Sequence, residues 1–306
     1  MIDKKEYICS APFNYTEVFD DRQYLCCPSW LPVDVWDGKS IQSSFNSTKS
    51  KEVRESILDG SYKYCDEKQC PYLSGLKNNV IASKFVKKDS NSLQQFGTHR
   101  KIETVNFCFD RSCNFQCPSC RSELINYYGK DREQVEKKLE EITNEISSTV
   151  KRLYLTGTAD PFYSKSFREF LETLDSTKFK KLKSIHLHTN GSLWNEKMWE
   201  RVKAIHPYVK TCEVSIDAGT QETYETKTRI GGKWDVLLDN LKFKFEEKDI
   251  RSVRRFSNNN VKELVKGGKR TNLPSSHYLE SYGLKTLPER ITSVRKTDSV
   301  DTPENR

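Results

Sequence analysis

From residue 102 to residue 248 the apolar positions alternate between two periods. Short buried runs at 102–109 (IETVNFCF), 150–155 (VKRLYL), 183–188 (KSIHLH) and 211–216 (TCEVSI) read as strands. Between them, amphipathic segments carry apolar residues three and four apart. Residues 131–148 place Val135, Leu139, Ile142 and Ile146 on one face. Residues 166–174 carry Phe167, Phe170, Leu171 and Leu174, and residues 193–205 carry Trp194, Met198, Val202 and Ile205. Residues 233–247 carry Trp234, Leu237, Leu238, Leu241 and Phe245. Four strands alternating with four helices predict parallel βα units, doubly wound or curling toward a barrel. A shortened fifth strand is expected in DIRSVRRFS, and no apolar sixth strand follows.

The first 75 residues lack such a rhythm. Only KEVRESILDG, with Val53 and Ile57 four apart and Gly60 as a stop, reads as a helix. Residues 76–100, rich in Ser, Asn, Gln and Lys, read as a linker. The predicted division is therefore a cysteine-rich module with its linker at 1–100, an α/β core at 101–250 and a basic tail at 251–306. The final DSVDTPENR is expected to be disordered.

Composition changes this picture in two places. The 306 residues carry a net charge of +8, but residues 251–306 alone contribute +6, so the body is nearly neutral. No zinc-finger, homeodomain or RNA-binding pattern accompanies the basic tail, and nucleic acid is not an expected partner. No apolar run is long enough to span a membrane and no secretory signal opens the chain, which predicts a cytoplasmic protein. In a reducing compartment ten cysteines are not a disulfide framework. Clustered ones point to metal or redox ligation. Cys108 and Cys212, alone in strand-like runs, read as small buried hydrophobes.

The loops that follow the predicted strands are DRSCNFQCPSC, TGTADPF, TNGS and DAGT. Ligands of α/β sheets and barrels bind at the carboxyl ends of strands, so these loops gather on one face. The first holds Cys113, Cys117 and Cys120 as C-x3-C-x2-C. Three thiolates can hold a [4Fe–4S] cube with one iron open to an exogenous ligand. Zinc with a remote fourth ligand is the competing reading.

This motif, with the loops that follow, resembles the radical SAM superfamily over roughly residues 101–248. The resemblance implies a partial (β/α)6 barrel of four clear βα units, with Cys113, Cys117 and Cys120 on a [4Fe–4S] cluster. Thr156 to Pro161 resembles the family's glycine-rich motif for the methionyl amino group of S-adenosylmethionine, implicating Gly157, Thr158 and Asp160. Thr189 to Gly191 resembles the loop after the third strand, implicating Asn190. SIDA resembles the ribose motif, implicating Ser215 and Asp217, and QETYETKTRIGGKWDVLLDNL resembles the turn into the next helix. Ser119 and Ala159 stand where relatives often have an aromatic residue and glycine. The resemblance implies reductive cleavage of S-adenosylmethionine to a 5′-deoxyadenosyl radical, which abstracts hydrogen from a peptide or small metabolite. A one-electron donor such as flavodoxin or ferredoxin is implied too.

Cys9, Cys26, Cys65 and Cys70 can supply four further thiolates. Their spacing resembles the opening of a SPASM module, with Asp21 in place of its glycine and in the same left-handed turn. The resemblance implies an auxiliary [4Fe–4S] cluster, here N-terminal to the barrel. A zinc knot on the same four thiolates is compatible with the spacing. Adjacent side chains diverge, so Cys27 is read as a spare. His186 and His188, two apart on a strand, face either the barrel lumen or buried partners, and no catalytic general base is assigned. The alternative to an enzyme is a truncated relative that binds metal, as iron–sulfur or zinc, or a peptide.

Overall fold

The computed structural model describes residues 2–96, 100–155, 158–246 and 251–255. The chain divides into two compact units, one of residues 1–109, 133–154 and 176–183, the other of residues 110–132, 155–175 and 184–306. Among the described residues, no helix is long and apolar enough to cross a membrane.

In the first unit, β1 (Tyr7–Cys9) pairs antiparallel with β4 (Phe85–Lys87), Cys9 opposite Phe85. A second sheet runs β3-β2-β5-β6, with β2 at Tyr15–Val18, β3 at Gln23–Tyr24, β5 at Thr104–Phe107 and β6 at Arg152–Leu155. β2 lies parallel to β5, Tyr15 opposite Thr104 and Val18 opposite Phe107. The parallel sheet thus has a strand before the first that periodicity predicts. β2 and β3 form a hairpin closed by Phe19 N–H to the Arg22 carbonyl at 2.9 Å. Asp21, expected in a left-handed turn, is not among the residues with positive φ, because this hairpin closes without one.

The helix Thr48–Leu58 starts at Ser47, whose hydroxyl accepts from Ser50 N–H, and buries Val53 and Ile57. It stops where Gly60 takes φ +81°, a conformation that disfavours any side chain. A Cβ there would sit 2.9 Å from Lys5 Cα. Ile57 packs in a core with Ile8, Phe13, Leu73, Leu76, Phe85 and Phe96. Each large apolar side chain buried there contributes about 1.5–3 kcal/mol. Residues 76–100 are not merely a linker. They include β4 and the helix Ser90–Gln95, started by a reciprocal Asp89–Ser92 capping box. The helix Gly129–Ile146 buries Val135, Leu139, Ile142 and Ile146, the stripe its period predicts.

In the second unit, β7 (Ser184–Thr189), β8 (Val209–Ser215) and β9 (Arg251–Arg255) run parallel. β9 is the shortened fifth strand, set with Ser215 opposite Arg255. Along β7 burial alternates: Ile185, Leu187 and Thr189 are buried, and His186 and His188 on the other face are half-buried. The helix Lys165–Glu172 buries Phe167 and Leu171. The predicted helix at 193–205 is shorter than its pattern. Asn195 caps it from outside, the helix is Glu196–Arg201, and Trp199 rather than Met198 is its buried residue. Trp194 is buried just ahead of the cap, its ring centroid 5.6 Å from that of Trp199. Helix Trp234–Glu246 buries Trp234, Leu237 and Leu241. The side chain of Phe245 and the expectations for Gly157 and residues 256–306 lie outside what is described.

Candidate functional site

The site is built from the loops of the second unit. The C-x3-C-x2-C segment has no regular secondary structure, so its shape depends on anchors. Cys113 N–H donates to the Ile125 carbonyl at 2.9 Å, and Cys120 N–H to the Cys117 carbonyl at 2.9 Å. Gln116 N–H donates to the Ile230 carbonyl at 2.9 Å, and Phe115 is buried. The TRIGG turn (228–232) packs against this loop because it carries two glycines. A Cβ on Gly232 would meet Tyr224 Cε1 at 2.6 Å and Phe115 Cζ at 2.9 Å. At Gly231, φ is +96° and a Cβ would lie 3.1 Å from the Asn114 carbonyl.

Each of the three sulfurs has a side-chain N–H donor, and Cys113 also receives the Phe115 backbone N–H. Asn190 Nδ2 lies 3.7 Å from Cys113 Sγ, Arg229 Nη1 3.5 Å from Cys117 Sγ, and Arg121 Nη2 3.4 Å from Cys120 Sγ. Cys113 and Cys117 are buried and Cys120 is exposed. Burial, then the Asp160 carboxylate, pushes the Cys113 thiol up to about 11. Burial also raises Cys117, against the pull of Arg229. Such thiols stay protonated at neutral pH until a metal displaces the proton.

The residues expected to contact the cofactor are distributed as follows. Thr158 Oγ1 donates to the Asp110 carbonyl at 2.5 Å, and its own carbonyl accepts from Arg121 at 2.7 Å. Asp160 is 1% exposed. Its carboxylate accepts from Phe162 N–H, Tyr163 N–H, Thr189 Oγ1 and Asn190 N–H at 2.6–3.2 Å. Four donors fill its lone pairs, so it ties the loop after β6 to the loop after β7. Asn190 hands its amide to Cys113 and Asn114, and its carbonyl accepts from Ser192. Ser215 Oγ lies 2.7 Å from His188 Nε2, and Thr211 Oγ1 2.6 Å from His186 Nδ1. The two histidines therefore meet the hydroxyl face of β8. Asp217, at φ +52°, is buried and ion-paired with Arg229.

Arg229 was not singled out from the sequence. Its one signal was its place in the TRIGGKW stretch. The side chain is 12% exposed and joins Cys117 to Asp217. Among the described residues, its Nε and the hydroxyl of fully buried Tyr224 have no hydrogen-bond partner. A buried donor left unpaired is costly, so these two atoms mark where a polar ligand would complete the site. A guanidinium with an unused donor suits a carboxylate, such as the one S-adenosylmethionine carries. The residues present therefore fit a three-thiolate cluster with that ligand beside it.

Four of the remaining cysteines meet in the first unit. Cys9, Cys26, Cys65 and Cys70 line one pocket with Trp30, Tyr62, Tyr72 and Lys84. Cys27 does not line it, and its charge is felt by Cys70 and Cys108. Burial pushes Cys9 up to about 11 and Cys65 to about 12, and neighbouring thiols add to the rise. Lys4 also lies near Cys65, but it is ion-paired with Glu67. Cys108 and Cys212 are buried. Among the described residues, no three His, Cys, Asp or Glu side chains converge as they would around a single metal ion.

Residues 109–252 match the model of the Radical SAM superfamily. The chain is similar to 7-carboxy-7-deazaguanine synthase of Aquifex aeolicus (strain VF5), 31% identical over 98 residues. That match covers 31% of this chain and 40% of the relative, so the chain spans about two fifths of that protein's length. Among solved structures it is similar to Streptococcus suis SuiB bound to precursor peptide SuiA, at 15% identity and a TM-score of 0.37. That comparison covers 71% of this chain and 49% of the other.

Proposed function

We propose, from the radical SAM domain at residues 109–252, that the chain is an enzyme that cleaves S-adenosylmethionine reductively and takes a hydrogen atom from a peptide or small metabolite. The observation that carries this reading is the three-cysteine loop, with a side-chain N–H donor on each sulfur and, among the described residues, two unpaired buried donors at Arg229 and Tyr224. Cys113, Cys117 and Cys120 would hold a [4Fe–4S] cluster. When bound, the cluster and S-adenosylmethionine supply one electron, a broken C–S bond, methionine and a 5′-deoxyadenosyl radical.

The chain's own residues shape the site. Asn190, Arg229 and Arg121 donate to the thiolates and lower the basicity of the ligand set. Arg229 and Tyr224 would offer donors to the methionyl carboxylate, and Thr158, Ser215 and Asp217 would serve the remaining contacts of the cofactor, with Gly157 in the role the family motif implies. Asp160 acts at one remove, because its acceptors are spent on holding Asn190 and Thr189 in place. Phe115 and Tyr224 are buried edge to face, and Tyr224 lies within electrostatic reach of Cys117.

In the first unit, Cys9, Cys26, Cys65 and Cys70 would hold a second, auxiliary cluster in a SPASM-like module. Their sharing of one pocket, with Cys27 outside it, supports this reading. Flavodoxin or ferredoxin would serve as the one-electron donor. The test is anaerobic reconstitution with iron and sulfide, followed by dithionite and S-adenosylmethionine. About eight irons per chain and released 5′-deoxyadenosine are expected. Two zincs per purified chain, with no cleavage after reconstitution, would overturn it.

A further inference from the structure

Lys84 lies among four cysteines, yet neither the chain's charge pattern nor its spacing marks it. It lines their pocket, and its Nζ stands 4.1 Å from the Tyr72 ring centroid and 5.6 Å from that of Trp30, both rings of the same lining. Its charge is felt by Cys9, Cys26 and Cys70. The other lysine near these sulfurs, Lys4, is ion-paired with Glu67, which Lys77 shares, whereas among the described residues no carboxylate forms an ion pair with Lys84, and Glu17 lies only within its electrostatic reach. The Lys84 ammonium is half-buried and hydrogen-bonded to the Tyr72 side chain, and holding such a charge against aromatic faces is costly unless further negative charge stands beside it.

We infer that Lys84 supplies the compensating positive charge of the four-thiolate site and sets the reduction potential of the cluster held there. The inference rests on the auxiliary-cluster reading above. Each thiolate brings a negative charge, and one-electron reduction of the cluster by dithionite adds another. A fixed cation nearby therefore favours assembly, and favours the reduced form over the oxidised one. Lys84 touches no reacting atom in this reading. It positions charge, and its effect is on a potential rather than on a bond.

The test uses the full chain with Cys113, Cys117 and Cys120 changed to alanine, so that only the first unit can hold a cluster. Iron analysis comes first. A chain that takes up no iron overturns the auxiliary-cluster reading and this inference with it. With about four irons bound, the midpoint potential is read by dithionite titration followed by electron paramagnetic resonance. Lys84→Met is expected to disfavour reduction about tenfold, a shift of about 59 mV to lower potential. Lys84→Arg, which keeps the charge, is expected to stay at the parent value. An unchanged potential in a loaded K84M or K84Q chain overturns the inference and leaves the cluster reading standing. If both neutral variants lose iron and K84R keeps it, the charge is needed for assembly and the inference holds. If K84R loses iron as well, Lys84 acts through packing and the inference falls.

Discussion

The two cysteine sites solve one problem in opposite ways. In the second unit the sulfurs lie on one loop within eight residues, and their donors come from distant elements: Asn190 after β7, Arg229 after β8, Arg121 beside them. One sulfur, on Cys120, is exposed. In the first unit the sulfurs themselves come from distant segments, from β1 to the start of the helix Pro71–Lys77, and close a mostly apolar pocket holding one lysine. An open loop with polar support suits a centre that must admit a ligand. Four thiolates around one pocket suit a centre with no position left for a further ligand.

This comparison is most sharply broken at Cys117. Cys117→Ala is expected to abolish release of 5′-deoxyadenosine while the chain keeps about four irons, measured by chromatography and iron analysis. Loss of all the iron would show a single shared site. The complementary pair is Cys26→Ala and Cys27→Ala. The first should remove about half of the iron and the second none, because only Cys26 lines the pocket.

Arg229→Met sharpens what polar support means in the open site. It strands Asp217 as a buried charge and should cost about 3–5 kcal/mol in a urea titration. Adding Asp217→Asn should recover part of that loss. The smallest effect concerns the histidine face of β7. Burial, opposed by Glu213 and aided by His188, lowers His186 to about 4. The unfolded chain then binds the extra proton between about pH 6.5 and 4. The stabilisation is whole above pH 6.5 and declines as the pH falls, by up to about 3 kcal/mol near pH 4. His186→Gln should flatten that part of the difference in urea midpoints between pH 7 and 4.5, while Cys26→Ala should leave the slope alone.

Much of the parallel architecture was legible because it rests on periodicity. Val135, Leu139, Ile142 and Ile146 repeat for long enough to specify a helix and its buried face. The strands of the first unit were not legible, since β1 to β4 have two to four residues each and no period can be read from so few. β4 even lies in a Ser- and Lys-rich stretch, placed there by Phe85, which packs into the core opposite Cys9. The shortened helix Glu196–Arg201 shows local capping overriding an apolar pattern. Local spacing marked the cysteines themselves. Arg229, Tyr224 and Lys84 matter through partners far away in sequence, and no local pattern carries that.

The pairing of β2 with β5 has a consequence for how the chain is made. Tyr15 must wait for Thr104 to leave the ribosome before it has a partner, with most of the cysteine-bearing segment looped between them. Such a late, non-local closure is slow, and during it the edge of each strand is open to other chains. A chain begun at residue 101 would keep that edge open for good, and is expected to aggregate even though its own βα pattern is intact.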